Sequence, residues 1–212
     1  MINKLVSIII PVYKHERELE LALVSIKNQT YKNIEVIIER DEKHEGAPVM
    51  RNRGFKKAKG EYIIFWDADI VAKSEMIEKM VDKLNQNLDK DFVYCNHYFG
   101  FKKIPAREFN LQTLQQNNYI HSTSLVRREA VVKWDKNLHR FQDWDFWLTL
   151  SEKGSKGIWL NEYLFKIISH GTMSSWLPSF AYKKPWKWLP GISKKVKKYE
   201  ISKQIVKNKH SI

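Results

Sequence analysis

The stretch "EYIIFWDADI" (61–70) decides how this chain is read. Residues 61–66 have the length and composition of a strand buried on both faces. Two carboxylates, Asp67 and Asp69, then flank one alanine, Ala68. Two acids in a loop can be no more than hydration or a helix cap. Placed directly after a buried strand, they also offer hard oxygen ligands to a cation that bridges phosphates.

The residues on either side repeat a strand-then-helix rhythm. "KLVSIIIPV" (4–12) reads as a buried strand, and "HERELELALVSIKNQ" (15–29) as a helix with Leu19, Ala22, Leu23 and Ile26 on one face. "IEVII" (34–38) is a second strand, followed by a short helix over 48–60 with Pro48 in its first turn. A helix over 74–88 carries an apolar stripe from Met76 to Leu88, with Ser74 as its cap. "DFVYC" (91–95) closes the alternation, with Cys95 as a core residue. This order predicts an α/β fold: an open, mostly parallel sheet with helices on both faces. Beyond it, the pattern predicts a strand over 119–126 and a short helix over 127–134. A helix follows over 143–154, and then a pair of strands from "KGIWL" and "YLFKII".

Composition sets the outer limits. With 212 residues, 43% of them hydrophobic, the chain can bury a sizeable core. One cysteine excludes an internal disulfide and a cysteine-only metal cluster. That fits a reducing cytoplasm. No run approaches the ~20 apolar residues of a membrane helix, and "MINKLVSIIIPVYK" meets proline and charge too early for a signal peptide. The net charge of +13 is uneven: from Tyr182 onward there are ten lysines and one acid, Glu200. Such a tail implies an anionic partner or a solvated end.

Ligands of open α/β sheets bind beyond the carboxyl ends of the strands. There the chain places Pro11, Val12 and Tyr13, then Glu39, Arg40 and Asp41, then the aspartate pair. An aromatic face, a hydrogen-bond acceptor and a hard-oxygen site together suit a base, a ribose and a metal-bridged diphosphate.

Four segments, "VSIIIPVYK", "SIKNQTYKNIEVII", "RNRGFKKAKGEYIIFWDADI" and "QDWDFWLTL", follow one another as they do in family 2 glycosyltransferases, which the chain resembles from about Leu5 to about His170. The resemblance implies the GT-A fold and an inverting enzyme. Such an enzyme moves a sugar from a nucleotide-diphosphate donor to an acceptor hydroxyl with Mg²⁺ or Mn²⁺. It implies a domain over 1–175, with a donor half (1–100) and an acceptor half (101–175), and a basic, aromatic extension over 176–212. Pro11, Val12 and Tyr13 would line the nucleobase pocket, and Asp41 would read the base, a uridine above all. Arg51, Asp67 and Ala68 would hold the donor, and Asp69 the metal, with His170 nearby. Asp143 would be the catalytic base; without the resemblance it could equally be a helix cap.

The pattern departs from the family at "ERDEKHEG", where an acidic Asp-Asp-Gly-Ser run is usual. It departs again at Gln142, in place of a glutamate, and at Ile70, in place of a third acid. The extension mixes tryptophan with lysine, which suits an anionic membrane surface through 182–212 and a lipid-linked or glycan acceptor. The protein would then be cytoplasmic, peripheral on the membrane. A lid over the acceptor site is the competing reading. A non-catalytic nucleotide-sugar-binding protein on the same fold and a basic nucleic-acid-binding protein are the rival functions. No nucleic-acid motif supports the latter.

Overall fold

The computed structural model describes residues 4–168 and 192–212; His170 and the residues of the extension from 176 to 191 lie outside them. Strand β1 (Val6–Val12) leads into helix α1 (Glu16–Lys27), β2 (Ile34–Arg40), α2 (Ala47–Lys57), β3 (Tyr62–Phe65), β4 (Ile70–Ala72) and α3 (Met76–Asn85). The second half adds β5 (Phe92–Phe99), β6 (Lys102–Ile104), α4 (Leu111–Gln116), β7 (Leu125–Arg127), α5 (Gln142–Glu152), β8 (Gly157–Ile167) and α6 (Ile192–Lys209).

The strands join one sheet in the order β2-β1-β3-β7-β5-β8-β4, with β6 on β5. Its faces follow from the two-residue period of a strand. Val6, Ile8, Ile10, Tyr62, Ile64, Val93, Cys95 and Leu125 point into one core with α1 and α3. Ile9, Ile63, Phe65, Phe92, Tyr94 and Val126 point into the other, with α4 and α5. Both faces are therefore covered, as the unbroken apolar strands require. Helix α2 lies so close to β1 that a Cβ on Gly54 would stand 2.4 Å from Ile9 Cγ2.

Parallel pairing holds β1 to β2 and β3, and β5 to β8. The remaining pairs, β3–β7, β5–β7, β5–β6 and β4–β8, are antiparallel, so the sheet is mixed.

Several expectations need correction. Of the expected 119–126 strand only Leu125 and Val126 are strand, as the start of β7. Upstream of it, local side-chain bonds outcompete the ladder: Asn118 Oδ1 accepts from Ile120 N, His121 Nδ1 from Thr123 N, and Ser124 Oγ donates to His121 O. The helix expected over 127–134 is a single 3-10 turn, Arg128–Ala130. The two arginines are instead tied elsewhere, Arg127 to the carbonyls of Lys90 and Leu84, Arg128 to Gly60 O. The expected pair "KGIWL"/"YLFKII" is one continuous strand, β8, with a register shift against β5 around Asn96.

Ser74 does not cap α3. Gln29, buried at the end of α1, accepts from Ile77 N and donates to Ser25 O and Lys73 O. The helix stops at Asn85, which leaves Leu88 81% exposed rather than on the apolar stripe.

Candidate active site

The quoted stretch straddles two strands. Phe65 ends β3, Ile70 begins β4, and Ile70 N donates to Asp67 O across the turn. Ile70 is fully buried and its carbonyl accepts the Trp66 indole N–H. An acid there would be desolvated without a partner, which accounts for the isoleucine.

Asp67 is anchored from two sides. Arg51 Nη2, carried by α2, donates to its Oδ1 at 2.6 Å, and Ser122 Oγ donates to its Oδ2 at 2.8 Å. Burial alone would raise its pKa, but the Arg51 charge, His121 and these bonds hold it below the usual carboxylate range. The Arg51 guanidinium is itself buried over the Trp134 ring, 4.3 Å from its centroid, and Nη1 reaches Gln142 Oε1 at 3.3 Å. Gln142 Nε2 donates to Leu138 O. A neutral amide at 142 suits this bridge, since it accepts from the arginine while donating backwards. Arg51 Nε is buried and finds no partner among the described residues.

Asp69 has the opposite environment. Burial, together with the neighbouring Asp67 charge, raises its pKa to about 6. No ion pair reaches it among the described residues. Its carboxylate is thus an uncompensated acid beside an ionised one, a place where a cation gains most. Among the described residues no group of three or more His, Cys, Asp or Glu gathers for a metal. Mg²⁺ takes one or two protein carboxylates and completes its shell with phosphate oxygens and water, and Asp67 and Asp69 offer such carboxylates. His170 lies outside the described residues.

Asp143 comes to the site at the start of α5. Phe141 takes a left-handed backbone (φ 57°) and turns the chain into the helix, so Asp143 stands in the first turn rather than at the cap. Asn118 Nδ2 donates to Oδ2 at 2.7 Å and Trp144 N to Oδ1 at 2.9 Å. Burial raises its pKa; His121, the Trp144 N–H and Arg51 oppose that without cancelling it. Two carboxylates with pKa values pushed apart, Asp67 down and Asp143 up, divide into a fixed anion and a proton acceptor.

His121 feels both acids, yet burial keeps its pKa low and the ring neutral. Its Nδ1 accepts from Thr123 N at 3.0 Å, which assigns the proton to Nε2. His97 stacks on Phe165 and lies 5.1 Å from His121, with its own pKa pushed down to about 3 by burial. Asn118, His121 and Ser122 were missed from sequence. The polar run "QQNNYIHSTS" (115–124), which leads into and through the start of the expected strand, is the one signal for them.

The expected nucleobase end gathers Pro11 and Val12 on β1 and Tyr13 just beyond it. Tyr13 is 38% exposed and lies 4.5 Å from the His44 ring. Both Asp41 oxygens accept backbone N–H groups, of Glu45 and Gly46, at 2.7 Å each, and Asp41 N donates to Val12 O. Asp41 therefore shapes the loop into α2, with lone pairs left for one further donor. Ala68 is buried between the two acids.

Helix α6 meets α5 through side chains. Tyr199 meets Phe141 at 5.0 Å, and Lys203 lies over the Trp144 ring. Lys209 pairs with Asp135 and Asp145, and His210 sits between Asp145 and Glu152 at 2.8 and 2.7 Å. Burial disfavours the Lys209 charge, but the two aspartates outweigh it and its pKa is raised. No helix of the described residues is long and apolar enough to cross a membrane.

The family model described as Glycosyl transferase family 2 matches residues 37–148, just over half of the chain. An uncharacterized glycosyltransferase of Methanocaldococcus jannaschii is 27% identical over 154 residues, which are 66% of this chain and 53% of that protein. One of Haemophilus influenzae is 26% identical over 205 residues, 80% of this chain and 81% of its own length. S. aureus TarS 1–349 in complex with UDP-GlcNAc has the same fold, with a TM-score of 0.69 at 15% identity over 82% of this chain and 62% of that one. The mannosyltransferase PcManGT of Pyrobaculum calidifontis, in complex with GDP-Man and Mn²⁺, gives 0.63 at 15% identity over 82% and 59%. The chain thus spans about half of the first of these relatives and about three-fifths of each solved neighbour.

Proposed function

The chain belongs to glycosyl transferase family 2, and on that premise we propose that it transfers a sugar, with inversion, from a uridine-diphosphate sugar to an acceptor hydroxyl, Asp143 taking the proton. The observation that carries this is the Asp143 carboxyl: half-buried, raised in pKa, held by Asn118 and within electrostatic reach of the Arg51–Asp67 pair.

The acceptor oxygen attacks the anomeric carbon as the bond from that carbon to the β-phosphate oxygen breaks. The bonding pair leaves with the nucleotide diphosphate, and the hydroxyl proton passes to Asp143. Asp67, held ionised by Arg51, accepts hydroxyls of the ribose or the sugar, and Arg51 Nε offers an unpartnered donor to the same ligand. Asp69 would hold Mg²⁺ or Mn²⁺ together with the donor's phosphate oxygens, and His170 would be the further ligand that the family resemblance implies. The ion supplies positive charge against that developing on the leaving diphosphate. Pro11, Val12 and Tyr13 form the base platform, with Asp41 as its polar reader and Ala68 giving the donor close approach. Residues 1–100 then serve the donor and 101–175 the acceptor, a glycan or lipid-linked glycan. The UDP-GlcNAc bound by TarS supports the uridine reading, and the Mn²⁺ of PcManGT the metal.

The test is Asp143→Asn assayed against a panel of UDP- and GDP-sugars with Mn²⁺. Turnover should fall about a thousandfold, within the range a general base contributes, while the donor-induced rise in melting temperature stays. Undiminished turnover in the variant would remove Asp143 from the chemistry. A wild-type protein that binds donor without turning it over would make it a binding protein.

A further inference from the structure

The inner face of α6 is spent on α5: Val196, Val206 and His210 are buried, and Tyr199 and Lys203 lie against Phe141 and Trp144. The opposite face carries Lys194, Lys198, Ile201 and Ile205, spaced four, three and four residues apart, which places them on one stripe. Lys194, Lys195, Lys197 and Lys198 are all exposed, and Ile201 and Ile205 are 52% and 50% exposed. Glu200 is the helix's one acid.

We propose that this outward stripe docks the protein on an anionic lipid bilayer. The lysines would meet headgroup phosphates, and the two isoleucines the boundary between headgroups and acyl chains. Lysines alone would suit a nucleic acid equally well. A pair of half-exposed isoleucines one turn apart gains nothing on a phosphate backbone and gains apolar burial in a bilayer.

Tyr199 meets Phe141 at the start of α5, two residues before Asp143, so the lysines just before Tyr199 lie near that end of the helix. On the transfer reading above, docking there would bring the protein to a hydroxyl carried by a lipid; the docking itself does not rest on that reading.

The experiment is co-sedimentation of the full chain with phosphatidylcholine vesicles, with and without about 30 mol% phosphatidylglycerol. Wild type should pellet with the anionic vesicles only and be released by salt. Lys194→Glu/Lys198→Glu and, separately, Ile201→Ser/Ile205→Ser should each lower partitioning at least about tenfold. Both pairs should keep the wild-type donor-induced thermal shift, which reports an intact fold. Equal binding to neutral vesicles, wild-type partitioning in both variant pairs, or binding of a random RNA oligomer in place of vesicles would each overturn the proposal. Absence of the donor shift in the wild type would count against the transfer reading alone.

Discussion

Asp69 holds its charge against its surroundings, and the sign of that is measurable. Its pKa is raised to about 6, so the folded protein binds that proton more tightly than the unfolded chain. Stability therefore falls as pH rises from about 4 to about 6, and the ionised carboxylate costs on the order of 3 kcal/mol above that window. Asp69→Asn should raise unfolding stability in urea by roughly 2 kcal/mol at neutral pH, with the gain shrinking as pH falls from about 6 and gone by about pH 4. The same variant should lose the Mn²⁺-dependent part of donor binding. Asp143 titrates in the same direction. Its base form is lost as pH falls through its raised pKa, giving activity an acid limb. Asn118 donates to the ionised form, so Asn118→Ala should move that limb upward by about half a unit to one unit in a kcat/KM profile. Asp67 and Asp69 stand out in the sequence because charge directly after an apolar strand is rarely idle, whereas Asp143 stands out only through the family resemblance. Asn118, His121 and Ser122 do not stand out, because their roles come from a turn that no period announces.

Between α5 and α6 the decisive group is Asp145, 2% exposed and held by Lys209 and His210 from the end of the chain. Removing one partner of a buried charge strands the other, at about 3 kcal/mol or more. His210→Ala should destabilise the protein by roughly 2–3 kcal/mol, and by clearly less in an Asp145→Asn background. A double-mutant cycle by chemical denaturation reads the difference. The sequence reading treated this tail as a source of charge, since ten lysines hide a face that repeats only at Val196, Tyr199, Lys203, Val206 and His210. Helix α1 was legible because its apolar face is continuous; α3 was too, apart from its ends. The sequence divides β8 in two because the polar pair Asn161–Glu162 interrupts its apolar run. In the structure Cys95 pairs with Leu160 and Asn96 with Tyr163, so the polar residues are taken up by a bulge, and Asn161 accepts from Asn96 Nδ2.

Across the whole molecule, the alternation of the first 95 residues was enough to give two covered sheet faces, because a strand apolar on every residue must be buried on both sides. The insertion of β7 between β3 and β5, and the exile of β4 to the far edge, depend on pairings between distant segments that local pattern does not encode. The GT-A resemblance supplied the class of fold, not these pairings. One side chain spans the result. Arg51 grips Asp67 at the end of β3 with one nitrogen and Gln142 at the head of α5 with another. The group that steadies the carboxylate proposed to hold the donor also steadies the helix that carries the proposed base. On the proposed reading, neither substrate can complete its part and leave before the other arrives. Double-reciprocal plots of rate against acceptor at several donor concentrations should therefore intersect. Parallel lines, the mark of a sugar parked covalently on the protein between two half-reactions, would contradict a reaction that passes through a single ternary complex.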